Sequence, residues 1–246
     1  MISRQVRAIL TVVAALTAGA AHAQAVYGDP SSPMTAQVLG TAIHTQNAEE
    51  VRYVVLGRLT DRYAADMGIT ATQAEKDAYL RNMRAALAAD RARYERQRDE
   101  LRRKLAAPGL SEAERKSLSA ELDSANRAVA DLSPTARAST EDEAARQQIA
   151  AAFIRQWKIN RALYRQYGGR IIFQQGGPEP LDAYRRFLLE REARGDFAIL
   201  SPAVATAFWR YYDTDSIHSF YRPGSAEEAK AFAAPPWASK PERIKP

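Results

Sequence analysis

Val51, Val55, Leu59, Tyr63 and Met67 recur at every fourth position, the spacing of one helical face. Asn47 is placed to cap this helix, and Gly68 to end it in the left-handed conformation that glycine adopts without a Cβ penalty. Ile69 and Thr70 then run extended. Thr72, with Glu75 three residues on, forms a capping box for a second helix, whose apolar stripe begins at Ala78, Tyr79 and Met83. Helical character continues unbroken to Ala106. Pro108 and Gly109 interrupt it, and Ser111 with Glu114 opens a further helix from Glu112 to Leu132. Apolar residues are sparse on both arms: Leu87, Tyr94, Leu101 and Leu105 going out, then Leu118, Leu122, Val129 and Leu132 coming back. Such narrow stripes predict an antiparallel, coiled-coil-like hairpin with one buried seam and solvated charged faces.

Residues 133–142 read as a linker. From Thr140 a helix carries Ile149, Phe153, Trp157 and Tyr164, a strong stripe expected to pack on the Val51–Met67 helix. Gly168 and Gly169 stop it. Arg170 to Gln175 and Val38 to Thr45 are the two candidate strands, and an unpaired strand leaves its backbone groups unsatisfied. The economical solution joins them in one small ribbon. Gly176 to Pro180 is expected to turn the chain. Leu181, Tyr184 and Leu188 mark a helix ending at Gly195, and Ser201 caps another that carries Val204, Phe208, Trp209 and Tyr212. A short polar helix is expected after Pro223. The predicted fold class is mostly α: a helical body with a small two-stranded β ribbon and a projecting antiparallel helical hairpin.

Met1 to Ala23 has a charged start (Arg4, Arg7), a short apolar core and an A-x-A site at Ala21–Ala23, the pattern of a cleaved export signal. The remaining 24–246 is expected to be one helical domain, with the hairpin inserted at 84–133 and a flexible, proline-rich tail at 234–246. No membrane span is expected after cleavage, because the apolar core is too short to cross a bilayer. The place expected for the protein is periplasmic or secreted. The chain has no cysteine, which excludes disulfides, thiol catalysis and cysteine metal sites. Arg4 and Arg7 supply two of the six net positive charges, leaving +4 on the mature chain. That modest, interspersed excess on an exported protein points away from nucleic acid.

Candidate chemistry is thin. Two histidines remain in the mature chain, His44 and His218. Asp213, Asp215 and His218 could form an acid–base or metal set, although one short segment rarely supplies converging ligands. The bland alternative is that the two aspartates shape a turn. His44 lies in a presumed strand with no chemistry assigned. There is no G-x-S-x-G elbow, and GGRIIFQQGG lacks both the G-x-G-x-x-G spacing and a Walker lysine.

The pattern of helix, Gly68-Ile69-Thr70, Thr72-x-x-Glu75, helix, together with Leu56, Leu59, Tyr63 and Tyr79, resembles the N-terminal helical module of SurA-like periplasmic chaperones. The segment VLGTAIHTQNAEEV resembles the strand that leads into that module. In the family the module often carries parvulin peptidyl-prolyl isomerase domains, whose alternation of strands and helices has no place in this chain. The resemblance therefore implies a non-enzymatic chaperone that holds unfolded or partly folded exported polypeptides without a cofactor or metal. Its expected peptide-binding residues are Tyr63, Tyr79, Tyr94 and Leu101. Two alternatives from other classes are an exported hydrolase or isomerase using Asp213–His218, and a structural envelope protein that docks a partner through the hairpin.

Overall fold

The structure, a computed structural model, describes residues 26–133, 140–174 and 176–238; the predicted export signal lies outside them, as does the end of the predicted tail. The fold is mostly α, with seven α-helices among the described residues and six strands of two to four residues.

Side-chain caps set the helix starts where the sequence places them. Asn47 accepts from the amides of Glu49 and Glu50 and opens α1 (Ala48–Asp66). Thr72 opens α2 (Gln73–Leu105) and Ser111 opens α3 (Glu112–Asp131), each in a reciprocal capping box, with Glu75 and Glu114 respectively. Each cap satisfies amides that have no partner inside the helix and is worth about 1 kcal/mol. Gly68, at φ 63°, turns the chain out of α1, and the Ile69 amide bonds back to Ala64 O.

The elements that follow are α4 (Thr140–Tyr167), α5 (Leu181–Ala193), α6 (Pro202–Asp213) and α7 (Ala226–Ala231), with a single 3-10 turn at Asp215–Ile217. The strands are β1 (Tyr27–Gly28), β2 (Ala36–Val38), β3 (Thr41–His44), β4 (Ile172–Gln174), β5 (Gly177–Glu179) and β6 (Phe197–Ile199).

The described residues divide into two compact units, one holding 72–133, 140–150 and 236–238, the other 26–71, 151–174 and 176–235. In the first, α2 and α3 form the helical hairpin. Its seam is narrow: Leu80, Leu101 and Ala125 are the only buried residues on its two helices. Ion pairs line its helices, Arg91–Glu95 half-buried and Lys104–Glu100 exposed. The same unit contains the start of α4, joined to α2 by Arg84–Glu143 and by Gln73–Gln147 hydrogen bonding. Trp237, in the segment expected to be a loose tail, is buried, and its carbonyl accepts from Asn82 Nδ2 at 2.9 Å. An indole supplies enough apolar area to seat an otherwise proline-rich segment.

In the second unit a four-stranded sheet runs in the order β1-β3-β2-β6. The expected strand at 38–45 is a hairpin, β2 turning into β3 at Leu39–Gly40, both residues at positive φ. Strand β2 also pairs with β6, Val38 opposite Phe197, which seats Ala36, Val38, Ile43 and Phe197 in the core. The two-stranded ribbon exists as β4–β5, with Ile172 opposite Glu179. It does not join Arg170–Gln175 to the 38–45 segment. Closing a tight local turn costs less chain entropy than recruiting a distant strand, and β2 and β3 are already satisfied elsewhere.

Two further expectations need correction. Met67 is 58% exposed, whereas Val51, Val54, Val55, Leu59 and Tyr63 are buried. Each four-residue step drifts about 40° around a 3.6-residue helix, so the fifth residue has left the face that holds the first. Helix α4 joins the core that contains α1 through Ile159 and Leu163. Trp157 stands outside that cluster, its ring 6.4 Å from that of Phe232, which also meets Tyr164.

Candidate functional site

Of the expected peptide-binding residues, Tyr63 is 4% exposed, stacked edge-on against Phe187 and bonded through its hydroxyl to Gln166. Leu101 is equally buried in the hairpin seam. A polypeptide reaches neither without breaking packing, because rings and branched side chains in a close-packed seam have no free face. Tyr79 and Tyr94 on α2 are half-buried, and Arg93 lies over the Tyr94 ring. They share a helical face with Met83, half-buried, and Leu87, 43% exposed. At equal rise per residue, Leu87 is about as far from the hairpin turn as Asp131, the last residue of α3. The seam residue is uncovered because the partner helix ends there.

Asp213, Asp215 and His218 do not converge. Asp213 pairs with Arg185 at 2.7 Å and Asp215 with Arg170 at 2.6 Å. Arg170 also clasps Asp182 with Nε at 3.0 Å and Nη2 at 3.1 Å. Hydrogen bonds from Arg170 hold the Asp215 carboxyl below its ordinary range. For Asp182, burial pushes upward, but the Arg170 hydrogen bonds outweigh it and the net shift is downward. These aspartates are the anchors of one guanidinium between β4, α5 and the 3-10 turn. No group of three or more His, Asp or Glu among the described residues could hold a metal ion. His44 Nδ1 bonds the Ser32 carbonyl at 2.6 Å, so that nitrogen carries the proton and fastens the loop before β2.

His218 turns the other way, toward a polar cluster organised on Tyr211. Its Nε2 donates to Tyr211 O at 2.6 Å, and the two rings stand edge-to-face at 4.8 Å. The Arg52 guanidinium of α1 lies 3.6 Å above the Tyr211 ring. The Tyr211 hydroxyl donates to Glu179 Oε1 at 3.3 Å and accepts from Gln174 Nε2 at 3.2 Å. One phenol on α6 thus grips both strands of the ribbon. Behind it the Tyr184 hydroxyl donates to Asn160 Oδ1 at 2.7 Å and accepts from Gln156, and Asn160 Nδ2 donates to Pro178 O. Tyr212, buried beside them, finds no hydrogen-bond partner for its hydroxyl among the described residues.

Burial pushes the Glu179 carboxyl up from its ordinary range, against the opposing pull of Tyr211, Arg52 and His218. Burial and the nearby Glu179 push Tyr211 up to about 12, and Tyr184 and Tyr212 are raised by the same causes. This arrangement can hold or release one proton at Glu179 inside a hydrogen-bonded frame. It offers no nucleophile with an adjacent base. Sequence reading missed it because Arg52, Glu179 and Tyr211 lie on three separate elements. The one local signal is a carboxylate between two prolines in GGPEP.

No family model matches the chain, and neither a curated protein nor a solved structure matches it significantly. No helix among the described residues is long and apolar enough to cross a membrane.

Proposed function

We propose that this protein is an exported, non-enzymatic polypeptide-binding protein of the chaperone type, acting in the periplasm on unfolded or partly folded exported chains without a cofactor. The carrying observation is the α2 face formed by Tyr79, Met83, Leu87 and Tyr94, where apolar and aromatic side chains stay partly exposed at helical spacing. Such a stripe offers non-directional burial to an incoming apolar segment, and the charged flanks keep the complex soluble. The Gly68 turn that ends α1 and the Thr72–Glu75 capping box that opens α2, both formed by residues that resemble the SurA-like module, support the same reading.

The test is suppression of light scattering when a chemically denatured client is diluted into the purified protein. Suppression at near-equimolar ratio is expected, and Leu87→Asp is expected to weaken it at unchanged melting temperature. A protein that leaves client aggregation unaltered at tenfold excess overturns the reading. Asp213 and His218, the residues of the hydrolase or isomerase alternative, turn to different partners, Arg185 and the Tyr211 carbonyl.

A further inference from the structure

The distal part of α2 carries an excess of cations. From Asp90 to Lys104 it holds seven basic and four acidic residues. Every acid there is engaged: Asp90 pairs with Arg93, Glu95 with Arg91, Glu100 with Lys104, and Asp99 is shared by Arg98 and Arg102. Arg96 and Arg103 are left without a carboxylate partner among the described residues, and Arg103 Nε bonds only the Asp99 carbonyl. A guanidinium keeps its charge at any physiological pH, so two of them without a counter-charge attract an external anion.

Their position on the helix is specific. Arg96 and Arg103 lie nine and sixteen residues beyond Leu87, about 180° and 160° around the helix from it. They stand on the back of α2, away from the Leu101 seam and from the stripe of Tyr79, Leu87 and Tyr94. Both are exposed, and with Arg93, Gln97, Asp99 and Glu100 they line one open hollow. All of that lining belongs to α2, and no residue of α3 contributes to it. Ala85, Ala89 and Ala92 continue the same face, which therefore has no large apolar side chain. Helix α3, on the other side of the seam, has five acidic residues against three basic ones.

We propose that this back face of α2 docks the protein on an anionic phospholipid surface, Arg96 and Arg103 each taking a headgroup phosphate. Guanidinium matches phosphate oxygens in a two-pronged contact. The two arginines are about 10 Å apart along the axis, too far for one small anion to bridge, whereas a plane of headgroups meets both. A protein partner would find only alanines here, where stable interfaces use buried apolar or aromatic anchors. Docking this way leaves the apolar stripe on the opposite side open and keeps acidic α3 off the anionic surface. No helix among the described residues can cross the bilayer, so the attachment is peripheral and sensitive to salt. It is independent of the client-binding reading, because the two faces share no residue.

Vesicle co-sedimentation tests this on the chain beginning at Gln24, the form expected after export. Vesicles of phosphatidylcholine with about 30% phosphatidylglycerol should bind it and pure phosphatidylcholine should not, and binding should vanish as NaCl rises from about 0.05 M to about 0.5 M. Arg96→Gln and Arg103→Gln should each weaken the partition roughly fivefold. Arg165→Gln, which removes an exposed arginine from the other compact unit, should leave it unchanged. Equal binding to neutral vesicles, or binding that survives high salt, overturns the proposal in the parent chain alone. So does an Arg165→Gln effect as large as that of Arg96→Gln, which would reduce the attraction to net charge. Saturable binding of inorganic phosphate without vesicles would make the hollow a small-anion site, and retention on immobilised polyglutamate equal to that on vesicles would make it a site for acidic polypeptide; either overturns it. Client protection should be unaltered in the Arg96→Gln/Arg103→Gln protein, and its loss would overturn the separation of the two faces.

Discussion

Gly169 lies directly against Asp182: a Cβ on Gly169 would stand 2.4 Å from Asp182 Cβ and 3.0 Å from its Oδ2. The approach is needed because that carboxylate accepts from the Arg170 amide at 2.8 Å, one residue beyond the glycine. Gly169 also sits at φ 97°, a conformation closed to ordinary side chains. Gly169→Ala should therefore destabilise the protein by about 2 kcal/mol or more, from the clash and the strain together. Thermal denaturation reads this as a drop of several degrees, and an unchanged midpoint would show that α5 can shift without cost.

Leu39 presents the opposite case, a side chain where glycine or asparagine is preferred. It occupies φ 47° at the β2–β3 turn with its side chain 42% exposed, its amide bonded to Asp196 O. The left-handed conformation costs a leucine roughly 1–2 kcal/mol, and Asn-Gly is the preferred pair in such a turn. Leu39→Asn should raise the denaturation midpoint. A fall would show that the exposed leucine makes a contact that outweighs its backbone strain.

Trp157 is buried beside Phe232. Trp157→Ala should cost about 3–5 kcal/mol, the range for large aromatic deletions. Urea denaturation measures it. Full stability with lost client binding would reassign the indole to function.

Arg170 holds Asp182 and Asp215 together, and both carboxyls titrate below their ordinary range. Stability from a depressed carboxyl is present above its unfolded value, near 3.8 for aspartate, and is lost as pH falls through the lowered one. Arg170→Gln should thus be less stable than the parent at pH 7. The difference should shrink toward pH 2, where the carboxyls are protonated in both proteins. Urea midpoints at the two pH values give the answer, and a constant difference would assign the role of Arg170 to packing, including its place over Phe220.

The hairpin should be separable. Replacing residues 88–131 with a short flexible linker removes no residue of the unit that holds the sheet, α1, α5 and α6. Loop closure depends only weakly on what is removed. Circular dichroism should show the loss of helix, with the cooperative transition of the remainder retained. Client protection should fall, since the linker deletes Tyr94 and the cover next to Leu87. Loss of all cooperative unfolding would make the hairpin part of the folding core.

The sequence by itself determined the helix starts. Asn47, Thr72, Ser111 and Ser201 each cap a helix because an unsatisfied first-turn amide seeks the nearest side-chain oxygen, a demand settled within three residues. Gly68 and the Pro108–Gly109 break were legible for the same local reason. Periodicity located α1 and α4 and the buried run Val51, Val55, Leu59 and Tyr63, but not where that run ends or what each stripe packs on: Met67 is exposed, and Trp157 is buried beside Phe232 outside the core that holds α1. Only the tertiary structure decided the pairing of β2 with β6 and the meeting of Arg52, Glu179, Tyr211 and His218. A three-residue strand carries too little pattern to choose a partner about 160 residues away. A carboxylate acquires its unusual proton affinity from helices and strands that the local sequence around Pro178-Glu179-Pro180 does not encode.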